Sequence, residues 1–192
     1  MKLGLVGSEM CIRDSYRTQR HLAILLAINM KHLLLIRHAK SGWDNANLQD
    51  FDRPLSDRGK KDAILMENFL NKIEYKSDLI LCSPARRTQQ TYDILFGVSK
   101  IKSTLYIDNL YHAGDEELLN IIRSIDEDKK ILVIIGHNPS LHNLLEQITN
   151  KKFTNFPTSG IASLQMDLEW EKVANSKSTL IFFKKPKDFQ SC

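Results

Sequence analysis

Lys31-His32-Leu33-Leu34-Leu35-Ile36-Arg37-His38-Ala39-Lys40-Ser41 holds an apolar run that stops abruptly at an Arg-His pair. A short, bounded run of this kind predicts a strand buried on both faces. In open α/β sheets, ligands bind outside the carboxyl ends of the strands. The run therefore carries a guanidinium and an imidazole to the sheet edge where chemistry is done. Such a pair suits a phosphate clamp beside a potential nucleophile.

The same pattern recurs downstream. Asp78-Leu79-Ile80-Leu81-Cys82 predicts a second buried strand, ended by Ser83-Pro84. Pro84 suits the first turn of a helix with Ser83 as its cap, and Gly97 suits its C-terminus after about Phe96. Residues 130–135 predict a third strand, closing on Gly136-His137-Asn138-Pro139, with a helix from Ser140 to about Thr149. Ser56-Asp57-Arg58-Gly59 opens a helix to about Ile73, with Ala63, Ile64, Met66, Phe69, Leu70 and Ile73 on its apolar face. Residues 115–125 predict a helix that buries Leu118, Leu119, Ile122 and Ile125. Leu105-Tyr106-Ile107 reads as a short edge strand. Residues 161–166 and 179–183 read as two final strands with a polar turn near Asn175-Ser176. The long polar loop between Gly42 and Pro54 is of the sort that is usually functional. This alternation predicts an α/β domain over residues 30–192, a three-layer α/β/α sandwich with a mostly parallel central sheet.

The totals agree with one such domain. The chain has 192 residues, 42% hydrophobic and 26% charged, enough for a proper core. A net charge of +4 with scattered Lys-Lys pairs gives no case for nucleic acid. Cys11, Cys82 and Cys192 are far apart and lack CxxC spacing, so no disulfide framework or zinc site follows and a reducing cytoplasm is expected. No apolar run approaches the ~20 residues needed to cross a bilayer, so no membrane association is expected. Residues 1–29 show no clear period. Their short apolar run, residues 22–28, lacks the small-residue site that follows a secretory signal. We expect a non-domain extension there, disordered or spurious, with a short helix packed on the domain as the alternative: residues 7–15 look like adapter-derived sequence, and Met30 reads as a natural start.

Three predicted strand ends thus deliver Arg37-His38, Arg86-Arg87 and His137. Arg offers a planar, permanently charged fork matched to phosphate oxygens. A neutral imidazole can attack phosphorus when its other nitrogen is held as a donor. A second imidazole can support the transferring group.

These residues also resemble a known family. Arg37-His38-Ala39-Lys40-Ser41 resembles the Arg-His-Gly signature of the histidine phosphatase (phosphoglycerate-mutase-like) superfamily. Ser83-Pro84-Ala85-Arg86-Arg87-Thr88-Gln89-Gln90-Thr91 is similar to its second motif, and Gly136-His137-Asn138-Pro139 to the motif of its second histidine. Asp52-Arg53-Pro54-Leu55-Ser56-Asp57-Arg58-Gly59 and Thr158-Ser159-Gly160-Ile161-Ala162-Ser163 resemble the SixA-type phosphohistidine phosphatases in particular. The resemblance implies a phosphoglycerate-mutase-like fold. It implies His38 as a nucleophile that becomes phosphorylated, with Arg37, Arg87 and His137 on the phosphoryl oxygens. It adds Arg53, Ser41 and Asn138 as substrate-binding residues. No metal and no cofactor are implied. The implied partner is a phosphohistidine-bearing protein such as a phosphotransfer domain or carrier, met by a monomer.

Two positions depart from the superfamily pattern. Ala39 replaces the usual glycine, a change the SixA-like branch tolerates. Tyr111 stands where the mutases and many small-molecule phosphatases carry a glutamate proton donor. An alkoxide leaving group needs that proton, which is worth ~10²–10⁴-fold. Phosphohistidine protonated on its free ring nitrogen leaves as neutral imidazole and needs no dedicated acid. The departure predicts a preference for phosphoramidates, although Asp44, Asp50 and Asp52 in the loop could supply a proton.

Rival readings remain open at this stage. Within the superfamily, a small-molecule phosphomonoesterase is the alternative. A cysteine-dependent phosphatase would use Cys82 with Arg87, but four residues separate them where five are needed. A zinc hydrolase would need His137 and His142 at i,i+4, and they are five apart. A non-catalytic phosphoprotein reader would keep the arginines without needing an imidazole at position 38.

Overall fold

In the computed structural model, residues 30–43, 47–97, 103–167, 169–175 and 178–190 are described. The expected extension over residues 1–29 lies outside them, as do Asp44 and Ser176. The opening run forms β1 (Lys31–Arg37), and the next two expected strands are β2 (Leu79–Cys82) and β4 (Ile131–Gly136). The edge strand β3 (Thr104–Tyr106) and the final pair, β5 (Ile161–Met166) and β6 (Thr179–Lys184), complete a six-stranded sheet. Four α-helices join them: α1 (Asp57–Lys72), α2 (Arg86–Phe96), α3 (Asp115–Arg123) and α4 (Ser140–Thr149).

The strand order is β3-β2-β4-β1-β5-β6. β1, β4, β2 and β3 run parallel, while β5 is antiparallel to both its neighbours. Leu34 and Ile36 of β1 join Ile80, Val133 and Ile135 under Met66 and Leu70 of α1 and Leu95 and Phe96 of α2. Leu33 and Leu35 pack the other way, with Leu81, Leu132 and Ile134, against Leu118 and Ile122 of α3 and Leu144 and Ile148 of α4. Burial on both faces is why the middle of β1, Leu33 to Ile36, is uniformly apolar instead of alternating. The fold is the three-layer α/β/α sandwich expected from the sequence. Among the described residues no helix is long and apolar enough to cross a membrane.

Four local expectations change. Ser83 does not cap α2: the helix begins at Arg86 after Ala85, and the Ser83 hydroxyl turns to His137. Ile64 and Ile73 lie 47% and 42% exposed, because the buried stripe of α1 runs through Gly59, Asp62, Ala63, Met66 and Leu70. α3 ends at Arg123, and Ile125 packs on the core from beyond it. Between β5 and β6 lies a 3₁₀ turn, Trp170–Asn175, which buries Trp170 and Val173. The polar turn expected near Asn175 is thus partly an apolar plug.

α1 approaches the end of β1 closely. The Ser56 hydroxyl accepts from the Gly59 amide, as a capping serine should, and donates to the Lys40 carbonyl. A Cβ on Gly59 would overlap that carbonyl oxygen and sit 2.9 Å from Lys40 N. Glycine is therefore required by contact with the segment just after His38.

Candidate active site

β1 and β4 are parallel neighbours with Arg37 opposite Gly136, so His38 and His137 emerge side by side. Their ring centroids are 5.0 Å apart. The helix after β1 packs on one face of the sheet and the helix after β4 on the other. The two connections diverge, and the crevice they leave is where a ligand meets a parallel sheet.

His38 is almost fully buried, and its Nδ1 lies 2.8 Å from the Ala39 carbonyl oxygen. A carbonyl can only accept, so Nδ1 carries the proton and Nε2 keeps its lone pair. Burial, reinforced by the charges of Arg87 and Arg37, pulls the His38 pKa down to about 4 against the Ala39 hydrogen bond and Asp50, which raise it. The ring is therefore neutral and nucleophilic at pH 7. This has a consequence for stability. The unfolded chain protonates His38 near its ordinary 6.5, while the folded chain resists until about 4, so stability is lost as pH falls between those values. His38→Gln should remove about 3 kcal/mol of that acid sensitivity, measured as the urea midpoint from pH 7 to pH 4. A slope unchanged by the substitution would show that His38 titrates normally.

His137 is held by two partners. Its Nδ1 lies 3.4 Å from Arg87 Nη2, which can only donate, so Nε2 carries the proton and donates to the Ser83 hydroxyl at 2.8 Å. Burial, then the neighbouring His38 and Arg87, push its pKa down to about 3. Ser83 is thus the fixed backstop for the second imidazole, and its apparent suitability as a helix cap concealed that role.

Arg87, in the first turn of α2, is buried and reaches the loop between β1 and α1. It donates to the Asp50 carbonyl at 2.6 Å and to Asp50 Oδ2 at 2.9 Å. The Tyr111 hydroxyl donates to the same oxygen at 2.9 Å, and Arg53 donates to Asp50 Oδ1 at 2.8 Å. Burial alone would raise the Asp50 pKa, but the hydrogen bonds from Arg53 and Tyr111 and the charge of Arg87 hold it at about 2. Asp50 is ionised and clamped, not poised to give up a proton. Tyr111 is shifted upward, first by burial and then by its bond to Asp50, so its phenol stays protonated.

Arg53 and Ser41 occupy one layer further out. Arg53 donates to Ser41 Oγ, the Gly42 carbonyl and Asp50, so its fork ties the loop together beneath the clamp. An isolated bridge between Ser41 and Leu55 closes the loop. Arg37 donates to the Phe156 carbonyl at 2.7 Å, while its buried Nε has no hydrogen-bond partner among the described residues. Asn138 donates to the same carbonyl at 3.0 Å, with its buried Oδ1 unpartnered among the described residues. The structure thus brings His38, His137, Arg37 and Arg87 to one crevice. It places Asn138 beside Arg37 and sets Arg53 and Ser41 behind Asp50.

Several supporting groups lie within the quoted motifs, where the sequence assigned them no role. The Thr91 hydroxyl donates to the Arg87 carbonyl and accepts from the Ala39 amide, locking α2 to the backbone after His38. Gln90 accepts from the Leu55 amide and so joins the second motif to the loop. The Ser159 amide donates to the His38 carbonyl from a backbone at φ 58°. A Cβ on Gly160 would meet the Pro157 carbonyl at 2.8 Å, which fixes glycine there.

The rival nucleophile fares poorly. Cys82 is fully buried, its thiol donates to the Ser83 carbonyl, and burial pushes its pKa well up. A protonated, inaccessible thiol is not a phosphatase nucleophile. His142 pairs at 3.6 Å with Glu146 on α4 and does not join His137.

Residues 33–108 match the histidine phosphatase superfamily (branch 1). An uncharacterised protein of Mycobacterium tuberculosis is 30% identical over 162 residues, covering 79% of this chain and all of the relative. The structure of an Agrobacterium tumefaciens protein, provisionally named phosphohistidine phosphatase SixA, superposes with a TM-score of 0.71 at 30% identity, over 81% of this chain and 98% of that one. Its Nakamurella multipartitia counterpart gives 0.70 at 25% identity, over 82% and 96%. With two imidazoles and two arginines gathered at parallel strand ends, the chain belongs to the histidine phosphatase superfamily, in its SixA-type branch.

Proposed function

We propose that the protein is a phosphohistidine phosphatase that removes phosphate from protein histidine through a covalent intermediate on His38. The substrate phosphoryl group enters the crevice and takes over the Arg87 donors that Asp50 holds at rest. Arg37, with its unpartnered Nε, adds a second guanidinium. The lone pair of His38 Nε2 attacks phosphorus while the P–N bond to the substrate imidazole breaks. Ala39 keeps its proton acceptor on Nδ1, so the ring stays oriented as it becomes phosphorylated. The arriving dianion raises the proton affinity of His137, and its Nδ1 can then donate to a phosphoryl oxygen while Nε2 stays on Ser83. Water attacks the phosphorylated His38 in the second half-reaction, releasing phosphate and restoring the neutral ring. Two guanidiniums and two imidazoles supply the charge and the nucleophile, and neither metal nor cofactor forms part of the proposal.

The observation that carries this reading is the pair Asp50 and Tyr111. Where a phosphomonoesterase would hold a protonated carboxylic acid, this site has a phenol bonded to a carboxylate held at about 2. Without a strong acid, an alkoxide departs slowly, whereas a protonated phosphohistidine already leaves as neutral imidazole. On this reading the partner is a phosphotransfer domain or carrier in the cytoplasm, dephosphorylated by a monomer.

The test compares kcat/KM on a histidine-phosphorylated phosphotransfer domain with that on sugar phosphates. We expect the phosphoramidate to be favoured by at least ~10²-fold, the lower bound for a missing general acid. Comparable constants would favour the small-molecule phosphomonoesterase. Binding of the phosphorylated domain without turnover would favour a reader.

A further inference from the structure

Trp43 is the most exposed large apolar side chain among the described residues, at 73%, and it sits on the rim of the candidate site. Its indole is not loose. The Arg53 guanidinium carbon lies 3.2 Å from the ring centroid, so one face is stacked on a planar cation. That cation is itself fixed by the Gly42 carbonyl, Ser41 and Asp50. The backbone before Trp43 is pinned as well, because the Gly42 amide donates to the Pro54 carbonyl at 3.1 Å. The contacts form a chain: Trp43 on Arg53, Arg53 on Asp50, Asp50 on Arg87. An exposed aromatic is thus held in place two side chains from the phosphate clamp.

Resting on the function proposed above, we infer that Trp43 is the docking anchor for the protein surface around the phosphorylated histidine. Arg53 covers one face of the indole, and 73% of the Trp43 surface stays accessible. A phosphohistidine on a protein brings a surrounding surface with it, and that surface must lie against the rim. A pre-ordered indole gives large contact area at small entropic cost, the character of an interface hot spot. The rim is also cationic. Lys40 and Arg86 are exposed in the segments that carry His38 and Arg87, which suits an anionic, phosphorylated face. The sequence alone marked this loop as functional but gave Trp43 no role.

The test sets Trp43→Ala and Trp43→Phe beside the wild type on two substrates: a histidine-phosphorylated phosphotransfer domain and free N-phosphohistidine. The ratio of kcat/KM for the domain to that for the free amino acid should fall about tenfold or more in Trp43→Ala, chiefly through KM. Trp43→Phe should recover most of it. A second readout avoids turnover: in His38→Ala, the phosphorylated domain should shield Trp43 emission from acrylamide, with Trp170 fully buried as the internal reference. An unchanged ratio and unchanged quenching would overturn the inference while leaving the phosphatase reading intact. With p-nitrophenyl phosphate as a third substrate, a loss confined to that aryl phosphate would also overturn it, assigning Trp43 to small aromatic leaving groups. If the wild type releases phosphate from neither phosphohistidine substrate, the proposed function falls, and the docking surface with it.

Discussion

Replacing His38 by alanine is expected to lower phosphatase turnover by about 10⁴-fold or more. The same change should abolish an acid-labile, base-stable phosphate that the wild type carries after rapid quenching. The reason is geometric as well as chemical. His38 is a neutral ring in the crevice whose Nδ1 proton is tied to a backbone carbonyl, leaving Nε2 as the attacking atom. Alanine keeps the backbone bonds to Gly136 and Ser159 but removes the nucleophile. Cys82→Ser serves as the counterpart, since a buried thiol with a raised pKa has no part in the reaction. It should stay within about threefold of wild type. Were the serine variant dead and the alanine variant active, the nucleophile would be the thiol, and the proposed mechanism would be wrong.

The largest effect on stability is expected from Gly59→Ala. On an ordinary helix, glycine to alanine is favourable by about 1 kcal/mol. Here the added methyl would occupy the position of the Lys40 carbonyl oxygen, which already accepts from the Ser56 amide at 2.9 Å and the Ser56 hydroxyl at 3.0 Å. The first turn of α1 must then retreat, giving up both bonds and straining the Ser41–Leu55 bridge. A loss of about 4 kcal/mol is expected, measured as a shift in the urea midpoint. Residual folded protein should be slow as well, because the displaced segment directly follows His38. Gly114→Ala is the control. Beyond its chain neighbours no atom lies within 4 Å of a Cβ there, and the change costs only the N-cap preference of α3 for glycine over alanine, about 1 kcal/mol. A Gly59→Ala midpoint matching the control would refute the close approach.

The strands were readable from sequence because parallel strands buried on both faces leave uninterrupted apolar runs. α1 was readable because Ser56 caps it and its apolar stripe repeats every three to four residues. The four groups in the crevice were readable because each sits one or a few residues beyond such a run. What escaped notice depends on partners distant in the chain. Ser83 has the local look of a cap, and only the placement of β4 beside β2 shows that its hydroxyl serves His137. Asp50 was one of three loop aspartates until Arg87 and Arg53 were found on either side of it. The Phe156 carbonyl that orients Arg37 and Asn138 is a backbone group, which any residue could supply. Arg53 carried a family motif but no hint that its ring of partners would be the loop itself.

The position of β4 between β1 and β2 bears on how activity is acquired. During synthesis β1 and β2 emerge first, yet neither pairs with the other, and the strand that joins them follows some fifty residues after β2. His38 and Arg87 are linked directly through Thr91 and Asp50, but β1 and β2 meet in the sheet only through β4, which also brings His137 to Ser83. No partly folded chain lacking that central strand can assemble the clamp. Such long-range closure is slow compared with local pairing. Activity therefore cannot precede the insertion of β4, and its appearance during refolding reports on that pairing.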